Sequence, residues 1–349
     1  MTSEASPLRR RITGEQARGV GKRFLQRGGI LIPFIALFIT LSLRSEPFAT
    51  KANLLNILEQ QSSTLVIAAA GTLVLVAGGI DLSVGAVYGF AAVTSAHFAL
   101  QTNPWLAIAL GVGAGLLVGL VNGIVITVFR INSLIATLAM SFIISGCSGL
   151  ITKGNLLVLF DKPAFGDLAG TEFLTIKTMI WTMIGAVIVF GLLLSTTTAG
   201  RYMYAAGGNA EAARLAGVRV DRIRILTFAL SGAAAGLAGV IDVSNVLSAQ
   251  AGSNENLTFT VLAGIVVGGT SILGGEGAVW RTVVGVLFIA LIGNGYILLG
   301  YKPEYQQITL GGLLLIAVAF DAVLRGLIRP GPAIRQLFRR RPRGSEAVP

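Results

Sequence analysis

Apolar segments of about membrane-spanning length, separated by polar connections, fill the chain from residue 28 to residue 323. One bilayer crossing needs roughly 20 mostly apolar residues, and a backbone inside lipid must satisfy its own hydrogen bonds by forming a helix. The pattern therefore predicts an all-α fold, a polytopic membrane helix bundle with about ten transmembrane helices. The predicted spans are residues 28–43, 62–80, two spans within 82–129 that divide at 101–104, 131–152, 178–200, 225–246, 257–273, 282–300 and 306–323.

Three segments outside the predicted spans hold the positive charge. Residues 1–27, 201–224 and 325–349 together carry nineteen basic and five acidic residues, an excess larger than the net charge of +11 on the whole chain. Basic residues concentrate on the cytoplasmic side of membrane proteins, so both termini and the 201–224 loop are predicted to be cytoplasmic. The predicted organisation is a basic N-terminal segment (1–27), a transmembrane domain (28–323) and a basic tail (324–349).

Two other polar connections, 44–61 and 153–177, contain equal numbers of basic and acidic residues. They follow the first and the fifth predicted spans, so an N-terminus in the cytoplasm places both of them outside. We expect both connections to be loops.

The composition agrees with a membrane protein and excludes several other classes. The chain is 54% hydrophobic and 12% charged, whereas soluble domains carry roughly 25% charged residues. Its basic loops and tails indicate topology and attraction to anionic membrane lipid, not to nucleic acid. A single cysteine (Cys147) and a single histidine (His97) argue against a disulfide framework, a multi-His metal site and a His-based triad. No GxxxxGK[S/T], HExxH or CxxC motif and no Ser nucleophile elbow is present. We therefore assign the chain no catalytic residue, no metal ligand and no cofactor.

The polar segment 201–224 contains the signals of one short helix. Asn209 is a suitable N-cap, and Gly217 can end the helix in a left-handed conformation. Glu211 lies in the first turn and Arg214 near the last turn, where the helix dipole favours a negative and a positive charge respectively. A helix of about two turns is too short to be stable alone in water, so it needs a surface to lie against.

This segment has two interpretations. It is either an ordinary arginine-rich cytoplasmic loop, as the positive-inside rule predicts, or a docking helix presented to a partner. Leu215 is the one large apolar side chain of the short helix, as expected of an anchor that enters a partner's groove. The candidate docking residues are Asn209, Glu211, Ala212, Arg214, Leu215 and Gly217.

Two further segments, 76–85 and 267–277, combine a Gly-Gly pair with polar groups near the ends of predicted spans. Broken helices at membrane depth usually line a cavity or a gate, because lipid cannot satisfy the freed backbone groups. The alternative is a tight cytoplasmic turn between two spans, and the sequence leaves both open. Polar residues deeper in the spans, such as Asn122 and Asn294, could bind a hydroxylated substrate or join helices. The candidate path or gate residues are Gly78, Gly79, Asp81, Ser83, Gly268, Gly269, Thr270, Asn122 and Asn294.

Glycines recur at small-xxx-small spacing in the fourth and seventh predicted spans. Gly115, Gly119 and Gly123 lie in the fourth span, and Gly232 and Gly236 lie in the seventh. Such spacing lets helix backbones approach closely in lipid. It predicts a tightly packed bundle but no particular activity.

Several motifs together resemble one transport family. They are GGIDLSVG (78–85), GGNAEAARLAGV (207–218), LSGAAAGLAGVI (230–241), VVGGTSILGGEGAVW (266–280) and NGYILLGYKPEYQQITLGGLLLIAVAFD (294–321). In this combination they resemble the ribose-type permease subunits of ATP-binding cassette (ABC) importers. The resemblance extends from about residue 60 to residue 321.

The resemblance implies a bacterial inner-membrane importer with two permease copies, two ATPase subunits that bind ATP and Mg, and an extracytoplasmic sugar-binding protein. It also implies that the segment matching Asn209–Gly217 is the coupling helix that docks on the ATPase. The chain departs from the family at Ser133–Leu134, where Pro-Phe is common, and at 258–260, where Glu-Leu-Asp is common. Nucleosides or branched-chain amino acids are therefore alternative substrates. A self-sufficient secondary transporter is a further alternative, although no acidic residue lies at the middle of a predicted span.

Overall fold

A computed structural model describes residues 29–252 and 256–324, and this part of the chain is mainly helical. The helices are α1 (Leu31–Arg44), α2 (Lys51–Val76), α3 (Val84–Ala99), α4 (Pro104–Val128), α5 (Ser133–Thr152), α6 (Pro163–Gly170), α7 (Thr178–Thr196), α8 (Thr198–Gly208), α9 (Ala210–Leu215), α10 (Val220–Val246), α11 (Leu257–Val267), α12 (Val279–Leu298) and α13 (Pro303–Leu324). Four two-residue strands, β1 (Leu157–Val158), β2 (Glu172–Phe173), β3 (Ile176–Lys177) and β4 (Ser248–Ala249), form the antiparallel pairs β1–β4 and β2–β3.

The predicted helical class is confirmed, because each predicted apolar segment contains one helix: α1 to α5, α7 and α10 to α13. By length and composition, α4, α5, α7, α10 and α12 are able to cross a membrane. The helices α1, α3 and α11 are apolar but shorter. The basic segments predicted at 1–27 and 325–349 lie outside the described residues.

The predicted loop at 44–61 is wrong, because most of it belongs to α2. The helix starts at Lys51, where the side chain of Thr50 caps it by accepting a hydrogen bond from the N–H of Asn53 (3.3 Å). The predicted loop at 153–177 is also more ordered than expected, since it contains α6 and three of the short strands.

The eighth predicted span is shorter than expected. Its helix, α11, ends at Val267 instead of continuing to residue 273. Gly269 follows with a φ angle of 85°, a left-handed conformation that cannot continue a helix. The second Gly-Gly segment therefore ends a helix.

The glycine faces of α4 and α10 pack directly on each other. A Cβ added to Gly119 would overlap the carbonyl oxygen of Phe228, and one added to Gly232 would overlap the carbonyl oxygen of Gly115. Among the five long apolar helices, α10 is the most buried, with 67% of its most apolar 18-residue stretch buried within the bundle. The tight packing predicted from the spacing is confirmed, and it places α10 at the centre of the bundle.

The connectors gather at two ends of the bundle. At one end, the N–H of Ile80 donates to Ser133 Oγ (3.1 Å) and the N–H of Gly275 donates to the carbonyl oxygen of Val76 (2.9 Å). These bonds join the α2–α3 connector to the start of α5, and the end of α2 to the α11–α12 connector. At the other end, the β1–β4 pair joins the α5–α6 connector to the α10–α11 connector. We call the first end the docking end, because α8 and α9 lie there.

Candidate functional site

The helix α9 is the predicted docking helix, and both of its ends are capped. Asn209 Oδ1 accepts a hydrogen bond from the N–H of Ala212 (3.0 Å). At the other end, the N–H of Gly217 donates to the carbonyl oxygen of Arg214 (2.9 Å), and the next N–H donates to that of Ala213 (2.9 Å). With Gly217 at a φ angle of 85°, these two bonds form a Schellman motif. The predicted short helix, with its N-cap and its glycine stop, is confirmed.

The docking helix has a buried side and an exposed side. Ala213 is buried against the bundle, whereas the Leu215 side chain is 84% exposed. Glu211 and Ala212 are exposed beside it. The exposed Leu215 side chain at the end of this capped helix is free to enter an apolar pocket on a partner surface.

Arg214 is engaged within the chain. Its guanidinium lies 3.6 Å from Glu211 Oε2 and 3.1 Å from Asp221 Oδ1. The contact with Asp221 ties the docking helix to the start of α10. Because all three side chains are largely exposed, we expect these ion pairs to orient the helix more than to stabilise the fold.

Four glycines from two connectors and the end of α8 meet behind the docking helix, and we call Gly78, Gly207, Gly274 and Gly275 the glycine junction. A Cβ added to Gly207 would overlap the carbonyl oxygen of Val76 and would lie 2.6 Å from the amide nitrogen of Gly275. A Cβ added to Gly274 would lie 2.8 Å from the Cα of Gly78. Here the end of α8 touches the connectors that follow α2 and α11, backbone against backbone.

Two hydrogen bonds hold the α11–α12 connector in this position. One is the bond from the N–H of Gly275 to Val76 described above, and in the other the Tyr204 hydroxyl donates to the carbonyl oxygen of Gly277 (2.8 Å). Burial raises the pKa of the Tyr204 phenol, so the hydroxyl keeps the proton that it donates. Through Tyr204, α8 is bonded directly to this connector.

A buried polar network anchors the α2–α3 connector. The carboxylate of Asp81 accepts hydrogen bonds from the N–H (2.9 Å) and the Oγ (2.6 Å) of Ser83, and from Ser231 Oγ (2.9 Å). Ser83 Oγ in turn accepts a hydrogen bond from Asn122 Nδ2 (2.8 Å). All four side chains are buried. The structure thus brings three of the candidate path residues together, in a network that ties the connector to α4 and α10.

The other candidate path residues are distributed along the two Gly-Gly segments. Gly79 packs against Phe228: a Cβ added to Gly79 would lie 3.1 Å from the nearest ring carbons of Phe228. Gly268 packs on α12, where an added Cβ would lie 3.0 Å from the Cα of Thr282. Thr270 is buried, and its hydroxyl has no hydrogen-bond partner among the described residues.

Asn294 lies apart from these residues. It exchanges two hydrogen bonds with Asn53, Asn53 Nδ2 donating at 3.1 Å and Asn294 Nδ2 donating at 2.9 Å. This amide pair joins α12 to α2, which is the helix-joining role that the sequence had left open for it. No group of three or more His, Cys, Asp or Glu side chains in residues 29–252 and 256–324 is arranged to hold a metal ion.

The sequence analysis did not predict the glycine junction, the hydrogen bond from Tyr204 to Gly277 or the hydrogen bond from Ser231 to Asp81. The helix α8 continues through the Gly-Gly pair at 207–208 and ends at Gly208. Three Gly-Gly pairs beside three connectors were a visible signal. Their convergence is a long-range contact, which spacing along one chain does not encode.

Comparison with known proteins identifies the family of this helical chain. Residues 53–318 match the family model described as branched-chain amino acid transport system / permease component. The chain belongs to this family. It is a membrane protein whose relatives are permease subunits of ABC transporters.

The particular relatives are sugar permeases by name. The chain is 38% identical to the L-arabinose ABC transporter permease protein AraH of Azospirillum brasilense, over 90% of this chain and 93% of the relative. It is 34% identical to the ribose import permease protein RbsC of Escherichia coli K12, over 86% of this chain and 95% of the relative. It is 37% identical to RbsC of Bacillus subtilis 168, over 83% and 91%. No solved structure matches the chain.

Proposed function

We propose that the chain is the transmembrane subunit of a bacterial inner-membrane ABC importer and forms the path for a monosaccharide or polyol. An extracytoplasmic binding protein delivers the sugar, and a separate ATPase subunit binds ATP and Mg and drives transport. The chain itself catalyses no reaction and pairs with a second permease copy. The docking helix carries this proposal, because its capping and its exposed Leu215 present an anchor at the docking end of the bundle.

The substrate class rests on the relatives. The family description names branched-chain amino acids, whereas AraH and RbsC are named for arabinose and ribose and align over most of both chains. A sugar is therefore the better supported cargo, and an amino acid or a nucleoside is the alternative. The candidate path residues at Gly78–Ser83 and Gly268–Thr270 would then control passage at the docking end, with Asn122 and Asp81 holding the first of these segments in place.

The expected result for the assembled transporter is sugar uptake that depends on all three components. The chain, its ATPase and its binding protein are reconstituted in liposomes, and uptake of radiolabelled ribose and L-arabinose is compared with that of leucine and of a nucleoside. Uptake should require the ATPase, ATP and the binding protein. Uptake of leucine but of neither sugar would reject the substrate class, and uptake without the ATPase would reject the importer.

The proposed topology has ten crossings with both termini in the cytoplasm. The alternation of connectors between the docking end and the β1–β4 end supports it, and so do the basic residues of 201–224 at the docking end. In a Cys147→Ala background, Ala212→Cys is expected to react with a membrane-impermeant maleimide only from the cytoplasmic side. Asn155→Cys, which is also exposed, should react only from outside. Labelling of both positions from one side would contradict the ten crossings.

A further inference from the structure

A cavity of about 570 Å³ opens beside the docking helix, and we call it the arginine pocket. Its walls come from the α2–α3 connector, the end of α4, the α4–α5 connector, the start of α5, the docking helix and the first turns of α10. The charged residues that line it are Arg130, Glu211, Arg214, Asp221 and Arg224.

The charges in the arginine pocket divide into a paired and an unpaired group. Arg214 contacts both carboxylates of the pocket, those of Glu211 and Asp221. Arg130 and Arg224 form no ion pair with any other residue of 29–252 or 256–324. The acids are therefore engaged with Arg214, and two guanidiniums remain to hold an anion.

One buried donor of the arginine pocket points to a missing acceptor. Arg224 Nε is buried and has no hydrogen-bond partner among the described residues, which is a costly state for a donor. Arg130 has a φ angle of 55°, a left-handed backbone conformation that is uncommon for residues other than glycine and clusters at functional sites. The neighbouring Asn132 uses its Oδ1 to cap α5 by accepting from the N–H of Leu134 (2.9 Å), so its amide N–H groups remain available as donors.

We infer that the arginine pocket receives an acidic side chain, an Asp or a Glu, from the ATPase subunit docked on Leu215. Guanidiniums bind carboxylates with charge-assisted hydrogen bonds that are stronger than neutral ones. The position of the pocket indicates its occupant, because Glu211 and Arg214 line the pocket and are also residues of the docking helix. A subunit seated on the exposed side of that helix therefore covers the pocket. The inference rests on the proposed function and adds a second, polar contact to the apolar anchor.

The test compares two double variants of the full chain in nanodiscs. Arg130→Gln with Arg224→Gln removes both unpaired charges of the pocket. Arg219→Gln with Arg222→Gln removes two exposed charges of the same arginine-rich segment that do not line the pocket. The affinity of the purified ATPase subunit is measured at low and high salt. The pocket variant should bind it about tenfold more weakly and with a reduced dependence on salt, whereas the control pair should bind within about twofold of the native chain.

The possible results separate the inference from the proposed function. Equal affinity of the pocket variant and the control pair would overturn the inference, provided that the native chain binds the ATPase. Failure of the native chain itself to bind would instead reject the proposed function. Unchanged ATPase affinity together with loss of phosphatidylglycerol from the pocket variant, measured by native mass spectrometry, would also overturn the inference and assign the pocket to a lipid phosphate. Arg224→Lys keeps the positive charge and removes Nε, so its affinity for the ATPase subunit should fall between those of the native chain and the double variant. This conservative variant controls for a loss of affinity that is caused by misfolding.

Discussion

Replacing Gly207 by alanine is expected to lower sugar uptake roughly fivefold to a hundredfold while the ATPase remains bound. The new methyl group would overlap the carbonyl oxygen of Val76 and would lie 2.6 Å from the nitrogen of Gly275, two backbone atoms that cannot rotate away. Overpacking of this kind costs about 1–3 kcal/mol, and each 1.4 kcal/mol is a factor of ten in an equilibrium. The strain lies behind the docking helix, so its exposed face is unchanged. Uptake is measured in proteoliposomes and normalised to the amount of chain and of bound ATPase.

Gly208→Ala is the matched control, at the next position of the same helix end. A Cβ at Gly208 would meet only the Cα of Gly275, at an ordinary 4.0 Å, and alanine favours a helix over glycine by about 1 kcal/mol. Its uptake should equal that of the native chain. Equal transport by the two variants would show that the glycine junction takes no part in coupling. Loss of the ATPase from the Gly207→Ala complex would assign the residue to docking instead of to transmission.

The reason to expect an effect at Gly207 is that the glycine junction contains no intervening side chain. A shift of α8 acts directly on Val76 at the end of α2 and on Gly275 in the α11–α12 connector. The connectors that follow α2 and α11 contain seven of the nine candidate path or gate residues. Movement received at the docking helix therefore has a short, rigid route to both Gly-Gly segments.

The helical bundle could be predicted because its signals are local. Apolar length, charge at the connections and glycine spacing each concern neighbouring residues. The glycine spacing predicted tight packing, but not that α4 and α10 pack on each other. The start of α2 could not be predicted from polarity, because the polar and charged residues between Lys51 and Glu59 are typical of a loop that connects two spans. There the helix is stabilised by its Thr50 cap and by an ion pair between Glu59 and Lys177 (2.8 Å), 118 residues apart.

The candidate site divides in the same way. The docking helix was predicted from its own caps, Asn209 and Gly217, because capping involves residues only a few positions apart. The ion pair between Arg214 and Asp221 could not be predicted, because Asp221 belongs to a different helix, α10. Nothing in the local sequence indicates that these two side chains meet. The Asp81 network depends on Ser231 and Asn122 from two other helices. Spacing alone identified those residue types but not their contacts.

Leu215→Asp is expected to weaken binding of the ATPase subunit by about 30-fold or more and to abolish ATP-driven uptake. The side chain is 84% exposed at the tip of the docking helix, so in the free chain it stabilises little. Truncation of an interface anchor costs about 2 kcal/mol or more, which is about 30-fold in affinity, and a carboxylate buried at the same position adds its own desolvation cost. Affinity is measured with the purified chain in nanodiscs, and uptake in proteoliposomes.

Leu156→Asp provides the control, because it makes the same replacement at another exposed leucine, in the α5–α6 connector at the β1–β4 end. It should leave ATPase affinity unchanged. The amount of Leu215→Asp chain in the membrane and its thermal unfolding should match the native chain, since the buried residue of the docking helix is Ala213 and not Leu215. Native affinity in the Leu215→Asp chain would remove the docking helix from the ATPase interface. The coupling route through Gly207 would then have to begin at another surface of the docking end.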